Sequence, residues 1–128
     1  MATRLPVGPF RDQTFRAAAA LTAYQYCLVK LASATTVTFC GAGEKPVGIL
    51  QNAPADGGQA IVRTFGESYC SVDATVAIVY DYGCLSAAAG VGVKNTTDKG
   101  PIVGWFRESL ASGTGTIVVD VQVQTMSV

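Results

Sequence analysis

The sequence predicts an all-β protein: a compact small barrel or sandwich built from two pseudo-repeated halves, with an extended N-terminal arm. Three observations predict this class. Short apolar runs are bounded by glycine-rich turns, the last run alternates apolar and polar residues, and the whole pattern recurs after 56 residues. Short strands at regular spacing, with turn residues between them, are typical of β-barrels and sandwiches.

The recurrence matches the two halves of the chain without a gap over most of their length. The identical pairs include Tyr24 with Tyr80, Tyr26 with Tyr82, Val37 with Val93, Gly48 with Gly104, and Gly57 with Gly113. Two units are too few for a solenoid, which needs about three or more. The pattern therefore predicts a single β domain over residues 17–128, with pseudo-repeats at about 20–66 and 76–122.

Residues 1–16 lie outside the repeat and are predicted to form the extended N-terminal arm. This arm is rich in proline and carries cations and aromatic rings at Arg4, Phe10, Arg11, Phe15 and Arg16. Chain termini are commonly frayed, but disordered segments are poor in aromatic residues. The two phenylalanines therefore favour an arm that docks against a partner, with a frayed end as the alternative.

The run Ala17–Leu21 has a helix-like composition, but its repeat partner does not. Residues 73–77 contain Thr75 and Val76 and lead into the strand-like run Ile78–Tyr80. Because β-branched residues favour strands over helices, no more than one helical turn is expected at Ala17–Leu21.

The remaining apolar runs are interpreted as strands. In the first half these are a hairpin of residues 27–31 and 36–39, then strands 47–50 and 60–65 around a turn at 55–58. The Asp-Gly pair of that turn favours a tight reversal. The second half is predicted to have strands at 102–106 and 116–124 around a turn at 112–115. In the last strand the residues expected on one face are Ile117, Val119, Val121 and Val123.

The chain has few charges and no net charge. Of its 128 residues 14% are charged, with nine basic and nine acidic side chains, whereas about 25% is usual in soluble proteins. A surface this poor in charge is weakly protected against association, so we expect protein partners to cover much of it. The basic excess of a nucleic-acid-binding domain is missing, and so is an apolar run long enough to span a membrane.

The N-terminal residues also lack the apolar core of a signal peptide, because Arg4, Pro6 and Pro9 interrupt it. The protein is therefore expected to be made and used without classical secretion, or to be assembled inside a cell and released by lysis.

The residue types needed for most catalysis are missing from the sequence. There is no histidine, which excludes Ser-His-Asp and Cys-His arrangements, and the carboxylates are scattered through predicted turns. We therefore expect no enzyme activity, no cofactor and no metal site. The four cysteines, Cys27, Cys40, Cys70 and Cys84, match no zinc or redox spacing. They are interpreted as buried small hydrophobic residues, with two disulfides as the alternative.

The segment Trp105-Phe106-Arg107-Glu108 replaces Ile49-Leu50-Gln51-Asn52 of the first half. Tryptophan and arginine are enriched at the centres of protein interfaces. The simplest interpretation of Trp105 alone is that it fills the core. In the alternative interpretation Trp105 faces outward with Arg107 beside it on one face of a strand, and this pair is the candidate surface site.

From about Phe15 to Val123 the chain resembles the small phage capsid cement, or head decoration, proteins. The resemblance is strongest over residues 18–66, and it is carried by Leu21-Thr22-Ala23-Tyr24-Gln25-Tyr26, by the run from Gly41 to Asn52 and by Ala60-Ile61-Val62-Arg63. It implies a compact β domain without catalytic residues that binds the outer surface of an assembled phage head. The implied partners are the major capsid protein and the chain itself, as a homotrimer, in a virion assembled in the host cytoplasm.

The candidate residues for capsid or subunit interfaces are Arg4, Phe10, Arg11, Phe15, Arg16, Trp105 and Arg107. Deletion of residues 1–16 is expected to leave folding intact and to weaken attachment to the head. Two alternatives stay open. One is a particle-displayed module that binds carbohydrate or a host surface through Tyr24, Tyr26, Tyr80 and Tyr82. The other is an enzyme that uses carboxylates alone.

Overall fold

The computed structural model describes residues 5–95 and 100–126. It confirms the all-β class. The described residues form nine strands: β1 (Arg11–Ala17), β2 (Leu28–Leu31), β3 (Thr36–Phe39), β4 (Gly48–Leu50), β5 (Gln59–Asp73), β6 (Gly83–Ser86), β7 (Gly92–Lys94), β8 (Gly100–Phe106) and β9 (Thr114–Met126). Their one helical segment is a short 3-10 turn at Ala88–Gly90, and none of these residues belongs to a helix long and apolar enough to cross a membrane.

Strands β1 to β5 close into a small barrel. Strand β5 pairs antiparallel with both β1 and β4, and β2 pairs antiparallel with β3 and β4. The parallel pair of β1 and β3 completes the ring, with Arg16 opposite Thr36. Closure gives each strand of the ring two neighbours, which satisfies backbone groups that an open sheet would leave unpaired.

The second half forms a corresponding ring from the other end of β5. Its strand order is β5-β7-β6-β8-β9, and β9 returns to pair antiparallel with β5. The parallel contact of β5 with β7 is made at Val72 and Gly92. The two rings meet at Phe65, which lies opposite Arg11 of β1 and opposite Gln122 of β9. Strand β5 therefore belongs to both rings.

The 56-residue repeat of the sequence corresponds to a repeat in how the strands pair. The parallel pair Arg16 and Thr36 becomes the parallel pair Val72 and Gly92 when 56 is added to each number. The same shift carries β1 onto the second part of β5. Residues 11–16, assigned to the N-terminal arm from the sequence, thus lie in a strand of the first ring. In the part of the arm that the structure describes, only residues 5–10 precede the barrel.

Two buried clusters fill the rings. The first consists of Ala17, Leu21, Val29, Val37, Leu50, Ala60 and Val62. The second includes Ile117, Val119 and Val121, the face predicted for the last strand, and Phe106. Burial of a Val, Leu, Ile or Phe side chain stabilises a fold by roughly 1.5–3 kcal/mol, so these clusters supply much of the driving force for closing both rings.

The turns repeat along with the strands. Gly57 and Gly113 have φ angles of 78° and 80°, a left-handed conformation that glycine adopts without steric cost. In the first turn the N–H of Gly58 donates to the carbonyl of Ala55 at 2.8 Å, which is the tight reversal predicted at 55–58. Glycine is therefore present at both positions for a backbone reason.

One strand-like run was interpreted wrongly. Ile78–Tyr80 forms no strand, and Ile78 alone makes an isolated bridge, to Leu110. The carboxylate of Asp73 accepts hydrogen bonds from the N–H and the hydroxyl of Thr75, at 2.9 and 2.8 Å. This local bonding turns the chain away from the sheet directly after β5.

Candidate interaction surfaces

Several charged side chains of the structure pair with one another. Arg63 donates to both carboxylate oxygens of Asp12, at 2.8 and 3.3 Å, and Lys30 donates to Glu44 at 2.6 Å. The pKa of Glu44 is held below its ordinary value by the hydrogen bond from Lys30 and by another from the backbone N–H of Gly41. Within residues 5–95 and 100–126 there is no group of three or more metal-ligating side chains. The features that remain for recognition are exposed apolar and cationic groups.

All four cysteines fall within the described ranges, where they are buried free thiols. Burial raises the pKa of Cys27 to about 11 and that of Cys40 to about 12. A hydrogen bond with Cys84, together with burial, raises the pKa of Cys70 well above its ordinary value. Gly92 makes room for this pair, because a Cβ there would lie 2.7 Å from the Cys84 sulfur and 3.1 Å from the Cys70 sulfur. Buried, protonated thiols are poor nucleophiles, so these side chains act as packing groups.

Residues 5–10 lie against the protein's own barrel. The N–H of Val7 donates to a carboxylate oxygen of Glu67 at 3.1 Å. The guanidinium carbon of Arg63 lies 3.8 Å from the centroid of the Phe10 ring, a cation–π geometry. Glycine at position 66 allows residues 5–10 to pass close to β5, since a Cβ on Gly66 would lie 2.5 Å from the carbonyl oxygen of Pro9. Phe10 remains 55% exposed, so its outer face is free to contact a partner.

The other candidate residues of the arm differ in their surroundings. Arg4 lies outside the described residues. Arg11 and Arg16 are exposed at the two ends of β1. Phe15 is half-buried and packs against the first core cluster. Of the two phenylalanines of the arm, Phe15 thus stabilises the barrel, whereas Phe10 presents an apolar surface to solvent.

Trp105 lies on the outer face of β8, and Arg107 directly follows the strand. Phe106 between them is fully buried, and alternation along a strand directs its neighbours to the opposite face. Trp105 is half-buried, so the interpretation of Trp105 as the core residue is wrong and Phe106 takes that place. Arg107 donates to Asp81 at 2.7 Å and to Asp120 at 3.0 Å. These two carboxylates hold the cation in place, and Asp120 lies opposite Trp105 in the pairing of β8 with β9.

The repeat-matched tyrosines have different surroundings in the two halves. Tyr24 and Tyr26 pack against other aromatic rings, at centroid separations of 4.6 and 5.5 Å. Tyr80 and Tyr82 are 60% and 47% exposed, and the ammonium of Lys94 lies 4.1 Å from the Tyr82 ring centroid. Of these four tyrosines, Tyr80 and Tyr82 of the second half are therefore the ones available to bind a partner.

A groove that the sequence analysis missed lies where the two rings meet. It has a volume of about 1150 Å³. Its lining combines three cations with apolar side chains, among them Arg11, Lys30, Lys45, Leu31, Phe65 and Val123. These residues come from five separate segments of the chain, so no local pattern in the sequence could have revealed the groove. Only Arg11 had been singled out, as part of the arm.

Comparison with known proteins shows that the fold is shared with a solved structure. No protein-family model and no curated protein matches the chain. The structure is similar to that of the head fiber gp8.5 N base in bacteriophage phi29, with a TM-score of 0.61. The similarity covers 94% of this chain and 100% of that chain, at 13% sequence identity. At this identity the likeness shows a shared fold.

Proposed function

We propose that the protein is a structural cement, or decoration, protein that binds the outer surface of a phage head and stabilises the junctions between capsomers. The observation that carries this proposal is the fold that it shares, over 94% of its length, with the base of a phage head fiber. The resemblance of its sequence to head decoration proteins supports the same assignment independently.

The surface composition also supports a role in assembly. Interfaces are enriched in aromatic side chains and arginine and depleted in lysine and acidic residues at their centres. Phe10, Phe65 and Trp105 present aromatic area to solvent on a chain in which 14% of residues are charged. Such a surface gains more from being covered by protein than an ordinary charged one does.

The proposed partners are the major capsid protein and further copies of this chain in a homotrimer. A filled head is under outward pressure, so the junctions between its subunits are the points at which it fails. A clamp across a junction loses its binding energy when the capsomers separate and therefore resists their separation. A symmetric oligomer presents equivalent contacts to equivalent capsid sites, and avidity converts modest single contacts into persistent binding.

Co-sedimentation with phage heads that lack the protein tests this function. Purified protein is mixed with expanded heads, and the bound amount is measured against the major capsid protein. We expect saturation at a fixed ratio, and that ratio identifies the occupied symmetry site. A folded protein that stays in the supernatant at all concentrations would exclude the cement function.

A second candidate function has one specific observation in its favour. Tyr80 and Tyr82 are exposed, whereas their repeat partners Tyr24 and Tyr26 are packed, and flat exposed aromatic rings are suited to stacking on sugars. A displayed module that binds carbohydrate or a host surface would use this pair. A glycan array distinguishes the two functions: reproducible binding that is lost in a Tyr80→Ala, Tyr82→Ala variant would favour the second.

A further inference from the structure

The groove between the two rings has an apolar floor. Its position follows from the topology, because Phe65 lies at the point where β5 passes from one ring to the other. Phe65 and Leu31 are 49% and 50% exposed, and Val47 and Val123 line the groove as partly exposed side chains. Large apolar side chains that share one concave surface are characteristic of binding sites.

The rim of the groove carries uncompensated positive charge. Lys30 is neutralised at 2.6 Å by Glu44, the one carboxylate among the described residues of the lining. Arg11 and Lys45 also line the groove and are exposed. Neither of them forms an ion pair with a residue that the structure describes. The neighbouring Asp12 is paired with Arg63. Among the described residues of its lining, the groove therefore has an excess of two positive charges beside its apolar side chains.

We propose that this groove binds an extended segment of another protein that combines carboxylate side chains with apolar ones. Apolar side chains of the segment would cover Phe65 and Leu31, and its carboxylates would reach Arg11 and Lys45. The charge complementarity and the apolar floor together identify this chemistry. The proposal stands on the groove alone, and it holds whether or not the protein attaches to a phage head.

A second copy of the chain matches the groove poorly. Among the residues that the structure describes, ion pairs within the chain hold the carboxylates of Asp12, Glu44, Asp81 and Asp120. The segment that precedes β1 contains Arg4 and no acidic residue, so it offers no carboxylate side chain to Arg11 and Lys45 of the groove. A partner with accessible carboxylates on an extended segment is the better complement.

Selection from a displayed peptide library tests the proposal. The probe is a library of random peptides of about ten residues, the upper length of an ordinary strand. We expect the wild-type protein to enrich peptides that carry Asp or Glu together with Leu, Ile or Phe. Their affinity should fall on the order of tenfold between about 0.05 M and about 0.5 M salt, because exposed charge pairs are screened.

Matched variants locate the binding. Arg11→Glu combined with Lys45→Glu should weaken the enriched peptides about tenfold, because two attractions become repulsions. Arg16→Glu combined with Lys94→Glu makes the same change of net charge outside the groove lining, and it should leave the affinity within about twofold. Phe65→Ala tests the apolar floor and should also weaken binding. Circular dichroism verifies that each variant is folded.

Three results would overturn the proposal. They are the absence of any enriched peptide, enrichment without acidic residues, and equal affinity for the two charge-reversed proteins. Self-association in sedimentation that is lost only in the Arg11→Glu, Lys45→Glu variant would assign the groove to a second copy and would overturn it as well. Head co-sedimentation tests the cement function independently of the groove. Failure of the peptide selection therefore does not exclude the cement function, and failure of co-sedimentation does not exclude peptide binding in the groove.

Discussion

Gly48 and Gly104 occupy the same place in the two halves, 56 residues apart, and in both the neighbouring strand leaves no room for a side chain. A Cβ on Gly48 would lie 2.2 Å from the carbonyl oxygen of Arg63, and one on Gly104 would lie 2.0 Å from that of Asp120. The obstacle is backbone in both cases, so it cannot rotate away. Each ring thus closes around an obligatory glycine, which explains why the sequence repeat preserves both.

Replacement of either glycine should therefore destabilise the protein severely. For Gly104→Ala we expect a loss of about 3 kcal/mol or more in the free energy of unfolding, at or beyond the upper end of ordinary overpacking. Chemical denaturation measures it. Gly8→Ala is the control, because its nearest contact to the added Cβ is an ordinary one at 3.9 Å. An equal effect of the two substitutions would contradict the steric explanation.

The buried cysteines predict how stability depends on pH. The pKa values of Cys27 and Cys40 are raised from 9.0 to about 11 and about 12, so the unfolded chain ionises first as the pH rises. The stabilising effect is complete below about pH 9 and declines between about pH 9 and 12. Urea denaturation in a reducing buffer should show this decline. It should become shallower in Cys27→Ala, and an unchanged slope would contradict the assignment.

The same burial predicts the reactivity of the thiols. A thiol reagent at neutral pH should label none of the four cysteines of the folded protein within the time in which it labels all four in denaturant. Absorbance or mass spectrometry counts the labelled sites. Rapid modification of any one cysteine under native conditions would show that the buried packing role is wrong for that residue.

The N-terminal arm can be shortened only as far as β1. Removal of residues 1–10 takes away the contact of Phe10 with Arg63 and the hydrogen bond of Val7, which together should cost about 1–2 kcal/mol. Removal of residues 1–16 also takes away β1 except for Ala17, and β1 pairs with both β3 and β5. Contrary to the expectation from the sequence, this longer deletion should abolish folding. Thermal unfolding compares the two truncations.

The shorter truncation also tests the arm as a capsid contact. If residues 1–10 dock on the head, their removal should lower the occupancy of heads in co-sedimentation while the protein remains folded. Unchanged occupancy would restrict the capsid contact to the rest of the surface, in which Trp105 is the leading candidate.

Substitutions of Trp105 and of its neighbour Phe106 distinguish a residue that binds a partner from one that stabilises the fold. Phe106→Ala should cost about 3–5 kcal/mol of stability, because Phe106 is fully buried in the second core. Trp105→Ala should cost about 1–2 kcal/mol, because its side chain is only half-buried. Only Trp105→Ala should weaken head binding in a protein that stays folded. Wild-type head occupancy in this variant would remove Trp105 from the interface.

The sequence predicted those strands whose own residues carry a clear pattern. Strand β9 has apolar residues at alternate positions from Ile117 to Val123, and the glycine-rich turn at 112–115 marks its start. Strand β1 carries no comparable signal: its sequence, RDQTFRA, shares no identity with residues 67–73, its structural equivalent. Its strand conformation comes from pairing with β3 and β5, which are distant in sequence. Strands β6 and β7 have four and three residues, too few for alternation to be read.

Strand β5 is longer than the sequence predicted, and Gly66 lies at the point where the prediction stopped. The sequence predicted a strand that ended at Phe65, and a glycine at the next position weakens a strand pattern. The structure continues through Gly66, at φ 97°, to Asp73. The sequence could predict the candidate sites only in part, because they too depend on contacts between distant segments. The alternation of β8 predicts two faces but does not identify which of Trp105 and Phe106 is inside, and the groove depends on five segments that only the folded chain brings together.

The continuous strand β5 makes the two halves inseparable. A cut near Phe65 would deprive each ring of a wall, so neither half could survive as a fragment or be exchanged as a module by recombination. Heat should melt both halves in one calorimetric transition, despite their separate cores. The shared strand leaves no joint at which one half could open before the other under load.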